Sequence, residues 1–180
     1  MMTLSLRSSI LLFTLAAGGL TAVAAPEAQA RERTRTRTAS HVDGARSAAV
    51  NASASGTHGS RTRARQWQAD GQGNVSGSSG ATASGVNGGA VTRQGSAYRN
   101  ADGSAGRQGS ASVVGANGGS ASSSGGFDRS ADGSVTGSRQ TSATAANGAS
   151  YQGSTTVADG SVSHTGTCTT AAGEVVACRP

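Results

Sequence analysis

Large apolar side chains are crowded into one part of this chain. Ile10 to Leu20 (ILLFTLAAGGL) is a largely apolar run of eleven residues, preceded by Arg7 and followed by Ala28-Gln29-Ala30. A positive start, a short apolar stretch and an A-x-A site are the three parts of a secretory signal peptide, with cleavage expected after Ala30. Eleven residues are too few to cross a hydrocarbon core about 30 Å thick as a helix, so no membrane span is expected once the leader is removed.

Beyond residue 30 the rhythm changes to period two. Small, hydroxylated and β-branched residues alternate in Ser134-Val135-Thr136, Ser161-Val162-Ser163 and Gln140 to Ala145 (QTSATA), a pattern that a strand accepts. In the stretch RERTRTRT, Arg33, Arg35 and Arg37 fall on one face of an extended chain and Thr34, Thr36 and Thr38 on the other. No segment after the leader carries a helical period.

Turn signals punctuate the second half. Asn87-Gly88, Asp102-Gly103, Asn117-Gly118, Asp132-Gly133 and Asn147-Gly148 follow one another at intervals of fifteen residues, and Asp159-Gly160 comes twelve later. Asn and Asp alternate, so the full period is thirty. Asp43-Gly44 and Asp70-Gly71 are looser copies upstream. These dipeptides tolerate positive φ at both central positions of a two-residue hairpin turn. A fixed period implies units that pack mainly on their neighbours. Gly95, Gly109, Gly125, Gly137 and Gly153 lie about midway between turns. A glycine there suits a strand break, a bulge or a second turn. The unit predicted is thus turn, short strand, glycine kink, short strand, turn.

Composition limits what such units can bury. From Arg31 onward there are one Trp, two Tyr, one Phe and twelve Val, with no Leu, Ile or Met. A conventional hydrophobic core is excluded, and two outcomes remain: a thin β-array of small side chains, or a largely disordered chain. The regular turns favour the array. The expected fold class is all-β, a low-complexity repeat of short β-hairpins with a 15/30-residue period. Its expected parts are a signal peptide (1–30), a disordered Arg-rich arm (31–68), the turn repeats (69–166) and a disulfide-tied C-terminal hairpin (167–180).

Charge adds a candidate interaction. All fifteen basic residues are Arg, and after cleavage fourteen face eight acids, leaving a net charge of +6. Eight of them, Arg31, Arg33, Arg35, Arg37, Arg46, Arg61, Arg63 and Arg65, form the expected arm. Guanidinium groups bind phosphate, sulfate and carboxylate in bidentate fashion. Trp67 follows closely and is suited to stack on a base or a sugar ring. The competing role for the arm is a solvated leader that keeps a sticky repeat in solution.

The remaining chemistry is sparse. Cys168 and Cys178 enclose nine residues with Ala172-Gly173 at the middle, which suits two strands folded back and a structural disulfide in an oxidising compartment. Asp128-Arg-Ser-Ala-Asp132-Gly133 begins like a calcium loop, but the twelfth position is Arg139 where a bidentate Glu is required. His41, His58 and His164 share no metal-ligand spacing, and no serine sits in a nucleophile elbow. No catalytic set, cofactor, metal or small-molecule substrate is expected. A short leader with an Arg-, Ala- and Gly-heavy, Lys-free composition points to a bacterial protein of the envelope or extracellular space. Its expected role is structural or interactive, with partners that are copies of itself through strand edges or an anionic polymer: lipopolysaccharide, glycan or extracellular DNA.

Overall fold

The structure, a computed structural model, describes residues 31–178; the expected signal peptide and the last two residues lie outside the described residues. Eleven antiparallel strands form one open sheet whose spatial order follows the chain from β1 to β11. They are β1 (Glu32–Val42), β2 (Ala45–Gly56), β3 (Gly59–Ala69), β4 (Val75–Gly85), β5 (Ala90–Arg99) and β6 (Ala105–Val114). Then come β7 (Ser120–Arg129), β8 (Val135–Thr144), β9 (Ser150–Ala158), β10 (Ser161–Thr169) and the short β11 (Val175–Val176). Each strand packs only on its sequence neighbours, and no second layer covers either face among the described residues.

The scarcity of large apolar residues explains this single layer. No hydrophobic side chain is buried among the described residues. Cohesion comes from ladder hydrogen bonds and from cross-strand pairs on the surface. Ser60 and Ser84 hydroxyls lie 2.9 Å apart, those of Thr62 and Thr82 2.7 Å, and those of Ser122 and Ser142 2.8 Å. Such pairs between directly opposed residues are the unit of sheet stabilisation.

Residues 31–68, expected as a disordered arm, form β1, β2 and β3. The Arg/Thr alternation is itself a strand pattern, and antiparallel pairing with the Ala- and Ser-rich β2 sets each Arg of β1 and β3 against a small neutral residue. The mid-repeat glycines also differ from expectation. Gly95, Gly109, Gly125, Gly137 and Gly153 lie inside β5 to β9, and the strands run through them without a break. The unit is therefore one strand per fifteen residues and one hairpin per thirty. At Gly125 the reason for glycine is close approach, since a Cβ there would meet the carbonyl oxygen of Ser138 at 2.3 Å.

Two kinds of turn recur. Asp43-Gly44 and Asp159-Gly160 are two-residue turns with positive φ at both positions, 48° and 82° in the first and 48° and 81° in the second. The fifteen-residue beat uses a different loop. The Gly118 amide donates to the Gly115 carbonyl, and the Gly115 amide donates to the Gly119 carbonyl, which encloses three residues, Ala116-Asn117-Gly118. Only the glycine is left-handed, at φ 86°. This is a tight turn followed by a left-handed Gly, the three-residue hairpin loop. The same bonds close the loops holding Gly88, Gly103, Gly133, Gly148 and Gly173. The two-residue turn expected at Asn87, Asp102, Asn117, Asp132 and Asn147 is replaced by this loop, because the pairing of the flanking residues, such as Gly115 with Gly119, encloses three residues.

Candidate functional site: a two-faced sheet with one cationic side

Directly opposed residues of an antiparallel pair point to the same side of the sheet. Following the register from strand to strand therefore assigns every side chain to a face. One continuous row runs Arg35, Ala52, Arg63, Ala81, Arg93, Ala111, Ser123, Thr141, Gly153, Gly166. The next row on the same face begins Arg33, Ala54, Arg61, Ala83, Val91, Val113. The row between them, on the other face, runs Thr34, Ser53, Thr62, Thr82, Thr92, Ser112, Ser122, Ser142.

Carried through all strands, this places every strand arginine on one face: Arg33, Arg35, Arg37, Arg46, Arg61, Arg63, Arg65, Arg93, Arg99, Arg107, Arg129 and Arg139. All are exposed. The two strand acids, Glu32 and Asp128, lie on the opposite face, so no carboxylate shares the cationic side of the strands. The opposite face is a field of Ser, Thr, Gln and small residues. On it a polar link spans Gly106, where the Tyr98 hydroxyl donates to Asp128 at 2.9 Å. A side chain at Gly106 would collide with both groups. The Asp128 carboxylate holds the Tyr98 phenol above its ordinary value of 10.0.

Five of the six remaining acids share one sheet end, and Glu174, in the loop between β10 and β11, lies at the other. Successive turns alternate between the two rims, so Asp43, Asp70, Asp102, Asp132 and Asp159 all fall on one rim. Asn87, Asn117 and Asn147, with the Thr57-His58 turn, fall on the other. Within the rim, Asp70, Asp102 and Asp132 are engaged locally. Asp102 Oδ1 accepts from the Ser104 amide at 2.8 Å and the Ser104 hydroxyl at 2.7 Å, and Asp132 repeats this with Ser134 at 2.9 and 2.8 Å. Hydrogen bonds to the ionised form lower the Asp102 carboxyl below 3.8, mainly through the Ser104 hydroxyl, and the Asp132 carboxyl, mainly through the Ser134 amide. Asp70 is lowered in the same way, chiefly by the Asn74 side chain.

The cationic face is densest at β1 to β3. Arg33, Arg35 and Arg37 on β1 stand across β2 from Arg61, Arg63 and Arg65 on β3, with Ala54, Ala52 and Val50 between them. These β2 residues are half-buried, whereas Asn51, Ser53 and Ser55 on their other side are exposed. Aliphatic Arg stems covering an apolar floor produce this asymmetry. A recess of about 690 Å³ runs from this floor across β3 to Ala81, Ala83, Val91 and Arg93. Trp67 follows Arg65 on the same face of β3, opposite Ala48, and is 45% exposed.

Seven of the eight arginines read from the sequence as anion-binding candidates are thus brought onto one face, and Arg31 directly precedes β1. Arg93, Arg99, Arg107, Arg129 and Arg139 join them and were not singled out. Their shared face is readable only once loop lengths fix the register. Cys168 and Cys178 form the expected disulfide, with Cα atoms 5.3 Å apart, and tie β11 beside the end of β10. Across β9 and β10, His164 Nδ1 lies 2.9 Å from the Thr155 hydroxyl and Nε2 3.4 Å from the Tyr151 hydroxyl. Both ring nitrogens are occupied by surface hydroxyls. Among the described residues no three His, Cys, Asp or Glu gather as metal ligands, and no helix is long and apolar enough to cross a membrane. No protein-family profile, curated protein or solved structure matches this chain.

Proposed function

We propose that this chain is an exported, non-enzymatic interaction protein of the bacterial envelope or extracellular space that lies by one face against an anionic polymer. The observation that carries the reading is the segregation of charge: twelve strand arginines on one face, with both strand acids on the other. A row of unneutralised guanidinium groups attracts oxyanions over a distance and grips them at contact. Export is supported by the three-part leader and by the disulfide. Secreted material is expected to begin at Arg31, which N-terminal sequencing checks. Retention on immobilised heparin should fall steeply as salt rises, because counterion release drives such binding. Absence of salt-sensitive retention would overturn the polymer reading.

A second reading, self-association through strand edges, is supported by the long outer strand β1. Two β1 strands paired with each other would oppose arginines, which disfavours that contact. Pairing would instead join β1 of one copy to the neutral β10 of the next, giving an open, head-to-tail assembly. Association that persists at high salt distinguishes it.

A further inference from the structure

Resting on the polymer reading, we infer that the furrow over β2 is a seat for a single chain of acidic linear polysaccharide, carrying sulfate or carboxylate groups along both its edges. The two rails set the width. β1 and β3 are separated by two strand spacings, about 9.5 Å, and successive arginines along each rail are about 6.7 Å apart. A single glycan chain fits between such rails, whereas a DNA duplex does not. The floor narrows the choice further. Ala54, Ala52 and Val50 give a smooth, half-buried apolar strip suited to the C–H faces of sugar rings. No aromatic residue lies between the rails, so single-stranded nucleic acid would find no stacking platform for successive bases. Trp67 at the end of the floor offers one indole, enough to stack on one ring.

The ends of the furrow are unlike. Arg33 and Arg61 stand toward the neutral Thr57-His58 turn, while the opposite end meets the turns holding Asp43 and Asp70. Those two turns approach closely, since a Cβ at Gly71 would lie 2.8 Å from the Gly44 carbonyl oxygen. Arg46 stands on β2 between the floor and those two acidic turns, and Glu32 lies at the other end on the opposite face.

The test uses heparin fragments as the probe, with a single-stranded oligonucleotide of equal charge in parallel, on the disulfide-bonded protein. Trp67 is the only tryptophan, so its emission reports on the furrow directly. Replacing Arg35 and Arg63 by Gln should weaken heparin binding at least tenfold. Replacing Arg99 and Arg129 by Gln removes the same charge from the same face outside the furrow and should weaken it less than threefold. Ala52→Phe leaves every charge in place, fills the floor, and should weaken heparin binding about tenfold while far-ultraviolet circular dichroism stays that of wild type. Asp43→Asn with Asp70→Asn should tighten binding two- to threefold. Equal losses from the two arginine pairs, or an indifferent Ala52→Phe, would overturn the furrow while leaving the cationic face standing. An oligonucleotide bound as tightly and hit by the same substitutions would replace glycan by nucleic acid. A wild-type protein that binds neither probe would remove the polymer reading itself.

Discussion

Strands β1 to β3 and strands β4 to β9 belong to one sheet and obey one register, yet they are built by different local rules. The first three are 11 or 12 residues long, and the residues facing the cationic side of β1 and β3 are largely Arg. The later ones are mostly 9 or 10 residues long, carry glycine near the middle and are joined by three-residue loops. In the first region side-chain alternation carries the strand signal; in the second, turn chemistry does. The comparison teaches that a sheet without a core can change its chemistry from end to end, because each strand answers only to its neighbours.

Cutting the molecule at the junction gives the largest expected effect. Removing residues 31–69 takes away eight arginines and two acids, and residues 70–180 carry six of each. Heparin retention should almost vanish, while circular dichroism of the remainder keeps the strand signal of β4 to β10. A remainder that unfolds would show that the two regions are not independent.

Breaking a loop in the later region should be felt there and not in the first. Gly118 meets no atom within 4 Å of an added Cβ, so Gly118→Val acts through backbone strain alone. Holding a β-branched residue at φ 86° should cost about 1–2 kcal/mol. Hydrogen exchange should speed up in β6 and β7, with the amides of β1 to β3 unchanged. Uniform acceleration across the sheet would mean that the strands unfold as a single cooperative unit.

Opening the disulfide probes the opposite edge. Closing a loop of about eleven residues contributes roughly 2–3 kcal/mol in the chain-entropy account. Cys168→Ala with Cys178→Ala should therefore fray β11 and the end of β10 and leave heparin binding untouched. Proteolysis confined to the last strands fits this; cleavage in β1 to β3 would contradict it.

Acid gives the smallest effect and sharpens the contrast at the turns. The Asp102 and Asp132 carboxyls are lowered in the folded protein, so their contribution is complete above the ordinary carboxyl value of 3.8 and is lost as pH falls through the lower folded value. Below about pH 4 the Ser104 and Ser134 amides should exchange faster, beyond the intrinsic pH effect. Asp102→Asn should abolish that change at Ser104 alone.

Much of this was legible in the residues. The all-β repeat, the turn positions and the disulfide follow from Asn-Gly and Asp-Gly spacing and from two cysteines around Ala172-Gly173. The loop type was not, because Asn117-Gly118 suits both a two-residue turn and a three-residue loop; the choice depends on which flanking residues pair, here Gly115 with Gly119. High charge density around Arg33 to Arg37 suits a disordered arm, yet the same letters spell an alternating strand. The common face of Arg63, Arg93 and Arg139 depends on register across several strands, and register is a property of pairs that no single segment displays.

The alternation of rims sets a rule for how such a chain can change in length. Deleting β5 with one loop, residues 90–104, would bring Ala105 into the place of Ala90. Everything downstream would then be turned over: Arg107 would take the position of Thr92 on the hydroxyl side, and the Asp132 loop would arrive on the rim of Asn87 and Asn117. Losing thirty residues, two strands together, disturbs neither face nor rim. The hairpin, not the strand, is the smallest module that duplication or deletion can add or remove without scrambling the charge map.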